Sequence, residues 1–172
     1  MLILGHLGIG SQISRLFSRD LPLPWVLLGC ALPDLIDKSL YYGFREVLPW
    51  ASSTRTIGHT GLLLLAIVLV SVLSGSRKML AVGLGVLTHL MLDVAGDRFE
   101  LFDGSAIARA VLFPFLGPFN FENHGGIGNQ VAHKVRDYYV VVAEGVGFLL
   151  LLWGYRPIRL RLRRAIRRLP RS

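Results

Sequence analysis

His89 and Asp93 stand four residues apart in one apolar run, and Asp34 and Asp37 stand three apart just after Pro33. On a helix either spacing puts both side chains on one face, about 6 Å apart. A neutral imidazole beside a carboxylate can ligate one divalent ion or share two. That mixture suits Zn²⁺ first, with Mn²⁺ or Fe²⁺ also compatible. Cys30 is the single cysteine, so an internal disulfide and a CxxC metal site are both excluded. It lies in an apolar run and reads as a small packing residue. The other candidates are His6, His59 with Arg55 one turn before it, and Glu144. His124 and His133 lie in a long connection and read as solvated side chains.

The elements that must position these residues are too apolar for water. Of the 172 residues, 52% are hydrophobic, and the mean hydropathy is +0.52. Three segments, Ile57–Ser74, Met79–Gly96 and Tyr138–Tyr155, have almost no polar face. Each is near the lower length limit for crossing a hydrocarbon core of roughly 30 Å. Tyr138, Tyr139, Trp153 and Tyr155 frame the last of them as an aromatic belt would. A shorter segment, Leu21–Ile36, carries Pro22 and Pro24 where a first helical turn accepts them, and Pro33 is expected to kink or end it. Leu2–Phe17 has helical spacing, with Gln12, Ser14 and Arg15 marking it as partly inserted or bundle-packed. Gly96–Asp137 is a long connection that reads as a functional or capping element. Met1–Gly10 lacks a basic leader, so no cleavable signal peptide is evident. The expected fold is an all-α integral membrane bundle of about four to five helices over residues 1–155. A long outer connection and a basic cytoplasmic tail, 156–172, complete it.

The net charge of +8 belongs to that tail. Eight of the 19 Lys and Arg residues lie in 156–172 with no acid among them; the other eleven match the eleven Asp and Glu. Basic residues near span ends favour the cytoplasm. The tail, the Arg77–Lys78 turn and Arg15 with Arg19 therefore fall inside. The same alternation puts His6, Asp34, Asp37, His59, His89, Asp93 and Glu144 at the outer end of their helices. Taken singly, a helix-end His or Asp is as a rule a cap or an interface residue. Their convergence is what makes a site, because a carboxylate in lipid needs a partner or a water-filled cavity.

Four motifs also resemble a family of bacterial membrane-bound metal-dependent hydrolases, themselves distantly similar to zinc-dependent phospholipase C enzymes. Gly5-His6-Leu7 resembles the family's N-terminal Gly-His-Leu, and Leu32–Asp37 resembles its Leu-Pro-Asp-x-Asp element. Arg55–Thr60 resembles His-Arg-x-x-Thr-His-Ser, and Thr88–Asp93 resembles Ser/Thr-His-x-x-x-Asp. The second aspartate, Asp37, stands one residue later than in the family pattern, and Thr54 stands where the family has histidine.

The resemblance implies hydrolysis of an ester or phosphoester, with a lipid or lipid-like substrate, at the outer face of the bacterial plasma (inner) membrane. It implies His6, Asp34, His59, His89 and Asp93 as metal ligands. Arg55 would clamp a phosphate with its planar fork, and Asp37 or Glu144 would act as general base or ligand orienter. Two other readings use the same residues. A transport protein would run ions or protons along the His, Asp and Glu side chains. A membrane anchor would lay its arginine tail on anionic lipid or on a partner. Nucleic-acid binding is not expected, since topology alone accounts for the arginines.

Overall fold

Apolar runs without period-two alternation give helices here. In this computed structural model the described residues are 3–18, 20–44, 46–48, 53–96, 106–119, 132 and 138–167, the stretch 155–167 by its backbone. Among them are six α-helices, one 3-10 turn and no strand. His124 and His133 lie outside the described residues, as do the side chains of the arginine tail.

The helices are α1 (Ile3–Phe17), α2 (Leu23–Phe44), α3 (Gly61–Ser74), α4 (Arg77–Gly96), α5 (Ala106–Val111) and α6 (Tyr138–Arg167). A 3-10 turn, Ile57–His59, leads into α3. The pairing of α2 with α4 is the most extensive. Helix α1 lies against α6, α4 and α2, while α3 packs on α4. Within lipid, aliphatic contact supplies packing but little hydrophobic drive, so close backbone approach carries more of the association. Gly29 and Gly85 supply it between α2 and α4. A Cβ on Gly29 would meet the Val82 carbonyl, and one on Gly85 would meet the Val26 carbonyl.

Two expectations need correction. Of the two outcomes expected at Pro33, a kink or a stop, the stop does not occur: α2 continues to Phe44. Its missing N–H costs one helical hydrogen bond, and the residues beyond it repay that through Asp37, which gathers the 53–60 segment. Asp34 and Asp37 consequently sit inside a helix and not at its end. His59 is not the first turn of a long span either. It belongs to the 3-10 turn, and α3 starts two residues later, where the Thr60 hydroxyl accepts from the Leu63 N–H as an N-cap. Helix α6 passes Tyr155 without a break and stays helical to Arg167, so the first part of the basic tail continues the last helix.

By length and composition α4 is the one described helix that can cross a bilayer by itself; Gly61–Ser74 and Tyr138–Gly154 are shorter apolar helices. Val82, Val86 and Leu90 of α4 pack with Ile67 of α3 as the main apolar cluster. Elsewhere α3 turns Leu65, Leu69, Val72 and Leu73 outward. The short α5, within the long connection, buries Ile107, Ala108 and Ala110 completely. It packs against α4, α3 and the 3-10 turn, and so closes over the end of the bundle that holds the histidines.

Candidate metal centre

The site begins with Asp37. It is fully buried and takes five donors from one short stretch. The Thr56 N–H and the His59 Nδ1–H donate to its Oδ2 at 2.6 and 2.7 Å, with the His59 N–H at 3.2 Å. The Thr56 hydroxyl and the Gly58 N–H donate to Oδ1 at 2.8 and 2.7 Å. Such a wrap requires the backbone to press on α2. Gly58 permits this, because a Cβ there would collide with the Pro33 carbonyl and the Asp37 carboxylate. With Nδ1–H held by a carboxylate, His59 turns its Nε2 to the far side of the ring.

His89 is fixed the same way from another helix. Its Nδ1 donates to the Cys30 carbonyl at 2.7 Å, which again turns Nε2 to the far side. The two Nε2 atoms face each other at 3.2 Å. Asp93, one turn after His89, adds Oδ2 at 3.2 Å from His59 Nε2 and 3.7 Å from His89 Nε2. Its other oxygen is 3.0 Å from His6 Nε2. The rings of His6 and His89 stack at 3.9 Å between centroids. Asp34 completes the group with Oδ1 3.8 Å from His59 Nε2.

Two facing lone pairs at this distance repel unless a proton or a metal cation lies between them. A tetrahedral ion with bonds of about 2.0–2.1 Å separates its ligand atoms by about 3.3 Å. That is close to the 3.2 Å from His59 Nε2 to His89 Nε2 and to Asp93 Oδ2, while the His89–Asp93 and Asp34–His59 separations are 3.7 and 3.8 Å. Two overlapping sets bring their ligand atoms within 4.8 Å of one another, His6 with His89 and Asp93, and Asp34 with His59 and His89. All five side chains are buried. The donor set thus fits one or two divalent ions of borderline character.

The structure therefore brings together His6, Asp34, His59, His89 and Asp93 from α1, α2, the turn and α4. Arg55 joins at the edge, its Nε 3.8 Å from Asp93 Oδ2. Asp37 lies behind His59, with both oxygens occupied by donors, and has no capacity left to act as a general base. Glu144 is placed apart from this group. Its carboxylate accepts from the Leu4 and Gly5 N–H groups at 2.8 and 3.0 Å, satisfying the start of the helix that carries His6.

Two contributors have no counterpart in the sequence reading. Lys38 reaches Asp34 Oδ2 at 2.6 Å. Its four-residue spacing from Asp34 is a helix-pair signal that could have revealed it. The carbonyl of Cys30 sets the His89 tautomer, and a backbone group leaves no trace in a sequence. The Cys30 thiol itself packs beside the Thr88 hydroxyl at 3.6 Å.

A cavity of about 550 Å³ adjoins the same turn, lined by Ile57, Thr60, Leu62, Leu63, Phe113, Pro118 and Phe119. Its walls are almost wholly apolar.

No curated protein and no solved structure matches the chain. One protein family does, described as YdjM inner membrane protein, over residues 1–155. The match covers every helix that carries a candidate ligand. It brings a bacterial inner-membrane setting and is silent about hydrolysis. A bundle with so much outward aliphatic surface and a buried His/Asp core accords with that setting, and the chain belongs to the YdjM inner membrane protein family.

Proposed function

We propose that this protein is a metal-dependent hydrolase of the inner membrane, acting on an ester or phosphoester of a lipid-like substrate. The observation that carries the reading is the opposed pair of Nε2 atoms on His59 and His89, 3.2 Å apart with Asp93 beside them. His6, Asp34, His59, His89 and Asp93 would hold a divalent ion, most readily zinc, which would supply Lewis-acid polarisation of a phosphoryl or carbonyl oxygen and a water of lowered pKa. The protein's own residues do the rest. Asp37 and the Cys30 carbonyl hold the two imidazoles in the tautomer that ligation needs. Glu144 anchors α1 and thereby His6. Arg55 stands where its fork can orient an anionic group. The apolar cavity beside the His59 turn suits a hydrocarbon chain.

In this reading the chain crosses the membrane several times, with the centre at the outer face and the C-terminus in the cytoplasm. The positions of Arg15, Arg77, Lys78 and the tail arginines support that orientation. Transport fits less well. Leu62–Val70 and Ala81–Leu87 offer no side-chain donor or acceptor along which a polar path could continue.

The test is purification in detergent, elemental analysis, and a screen of glycerophospholipids and isoprenoid phosphates with and without chelator. Stoichiometric metal and chelator-sensitive cleavage are expected. A protein without metal, in which a shared proton bridges His59 and His89, would sink the reading.

A further inference from the structure

We propose that the centre holds one ion on two of its three histidines, and that His6 is a positioning residue which aims Asp93 without touching the ion. This rests on the metal-centre reading above and sharpens it. The imidazole lone pair lies in the plane of its ring, so an ion shared by two histidines has to lie in both ring planes. The His59 and His89 rings meet edge to face, at 65° with centroids 5.1 Å apart. Their planes therefore cross, and the facing Nε2 atoms, 3.2 Å apart, can share one ion. His6 and His89 are arranged otherwise. Their rings stack, with 3.9 Å between centroids and 17° between planes. Planes so nearly parallel do not meet near the nitrogens. An ion in the plane of His89, at the usual bond length of about 2.0–2.1 Å, lies well above the face of His6. The group His6, His89 and Asp93 is close enough in distance and wrong in direction.

A second ion beside the first fails for want of donors. Among the described residues, both groups of three that could hold a metal draw on His89. That ring has a single nitrogen to give, since its Nδ1 donates to the Cys30 carbonyl, which can only accept. Asp37 has both oxygens engaged by donors. Asp34 Oδ2 is engaged by Lys38 at 2.6 Å. The contact that ties His6 to the centre is the one from its Nε2 to Asp93 Oδ1, at 3.0 Å. When Asp93 binds an ion through Oδ2 it is a carboxylate, and a carboxylate only accepts. His6 then donates its Nε2–H to Oδ1, and a nitrogen that carries a proton binds no metal. The hydrogen bond fixes one oxygen of Asp93 and leaves the other aimed at the His59 and His89 Nε2 atoms, 3.2 and 3.7 Å away. The ion has nitrogens from His59 and His89, with carboxylate oxygens of Asp93 and Asp34 around them.

The experiment counts zinc ions and imidazoles on the full chain in detergent, and neither readout depends on turnover. Elemental analysis of the zinc-saturated wild type should give one ion per chain, and X-ray absorption at the zinc edge should show two imidazoles. His6→Ala should keep both values at saturating zinc, while its affinity in chelator competition falls roughly 10–100-fold. His6→Gln, whose amide can still donate to Asp93, should keep the same counts and recover most of the affinity. It carries the test alone if His6→Ala does not fold. Two ions per chain, three imidazoles on one ion, or an imidazole lost with His6→Gln would overturn this assignment and leave a metal centre standing. A wild type that takes up no zinc removes the centre, and the role of His6 with it.

Discussion

The segment 53–60 and helix α3 are neighbours in the chain and opposite in construction. In the first, Ser53, Thr54, Thr56, Gly58, His59 and Thr60 are all buried, and Asp37 ties down its middle by five hydrogen bonds. In the second, fourteen residues contain no charge, and Ile67 and Ser71 alone are buried. The polar segment is held in one geometry by directional bonds. The helix is held by its ends and by contact with α4, with most of its surface turned to the surroundings. Rigidity in this protein resides in the irregular stretch, while the regular one is interchangeable aliphatic bulk. That is a reversal of the usual relation between loops and helices, and it follows from what the turn has to hold.

The contrast can be broken at its strongest point first. His59→Ala with His89→Ala removes both facing nitrogens, and metal stoichiometry should fall to zero by elemental analysis; full retention would refute the ligand assignment. Asp37→Asn keeps the shape but replaces one acceptor oxygen by a donor and frees the His59 tautomer. Metal affinity measured by competition with a chelator should drop roughly 10–100-fold. Gly58→Ala drives a methyl group into the Pro33 carbonyl, at a cost of about 1–3 kcal/mol. Thermal denaturation should show it, with metal affinity falling in parallel if turn and centre are one unit. Glu144→Ala leaves two α1 N–H groups without their acceptor, worth about 1 kcal/mol. Its effect on metal binding should be smaller than that of Asp37→Asn. At the far end of the scale, Leu65→Ala or Leu69→Ala on the outer face of α3 should change metal content not at all. A large effect there would show that α3 positions the turn and not the reverse.

What could be read beforehand follows the same division. Helical spacing alone paired His89 with Asp93, since both lie on one regular element. The basic tail and the apolar runs gave an all-α bundle, and the family match carries the inner-membrane setting. The arrangement of Asp37 was beyond reach, because its donors arrive 19 to 22 residues later from a segment with no periodicity. Pro33 was misleading for a related reason. Its local preference for ending a helix is outweighed by the tertiary bonds that Asp37 makes one turn beyond it. Lys38 was overlooked although the spacing was visible, since a lysine beside an aspartate on a helix is ordinarily a surface pair.

The sequence distances across the centre also fix when it can exist. A growing chain can close the Asp37–His59 contact as soon as the turn has emerged, 22 residues after Asp37. His89 follows 30 residues behind His59, and His6 waits for Asp93, 87 residues after itself. The carboxylate that fastens the first helix is Glu144, which comes 139 and 140 residues after the amides it receives. The earliest member of the centre to be synthesised is therefore the last to be secured. During biogenesis the contacts around His59 and His89 can form before α6 is made, whereas the helix that carries His6 is fastened only after it.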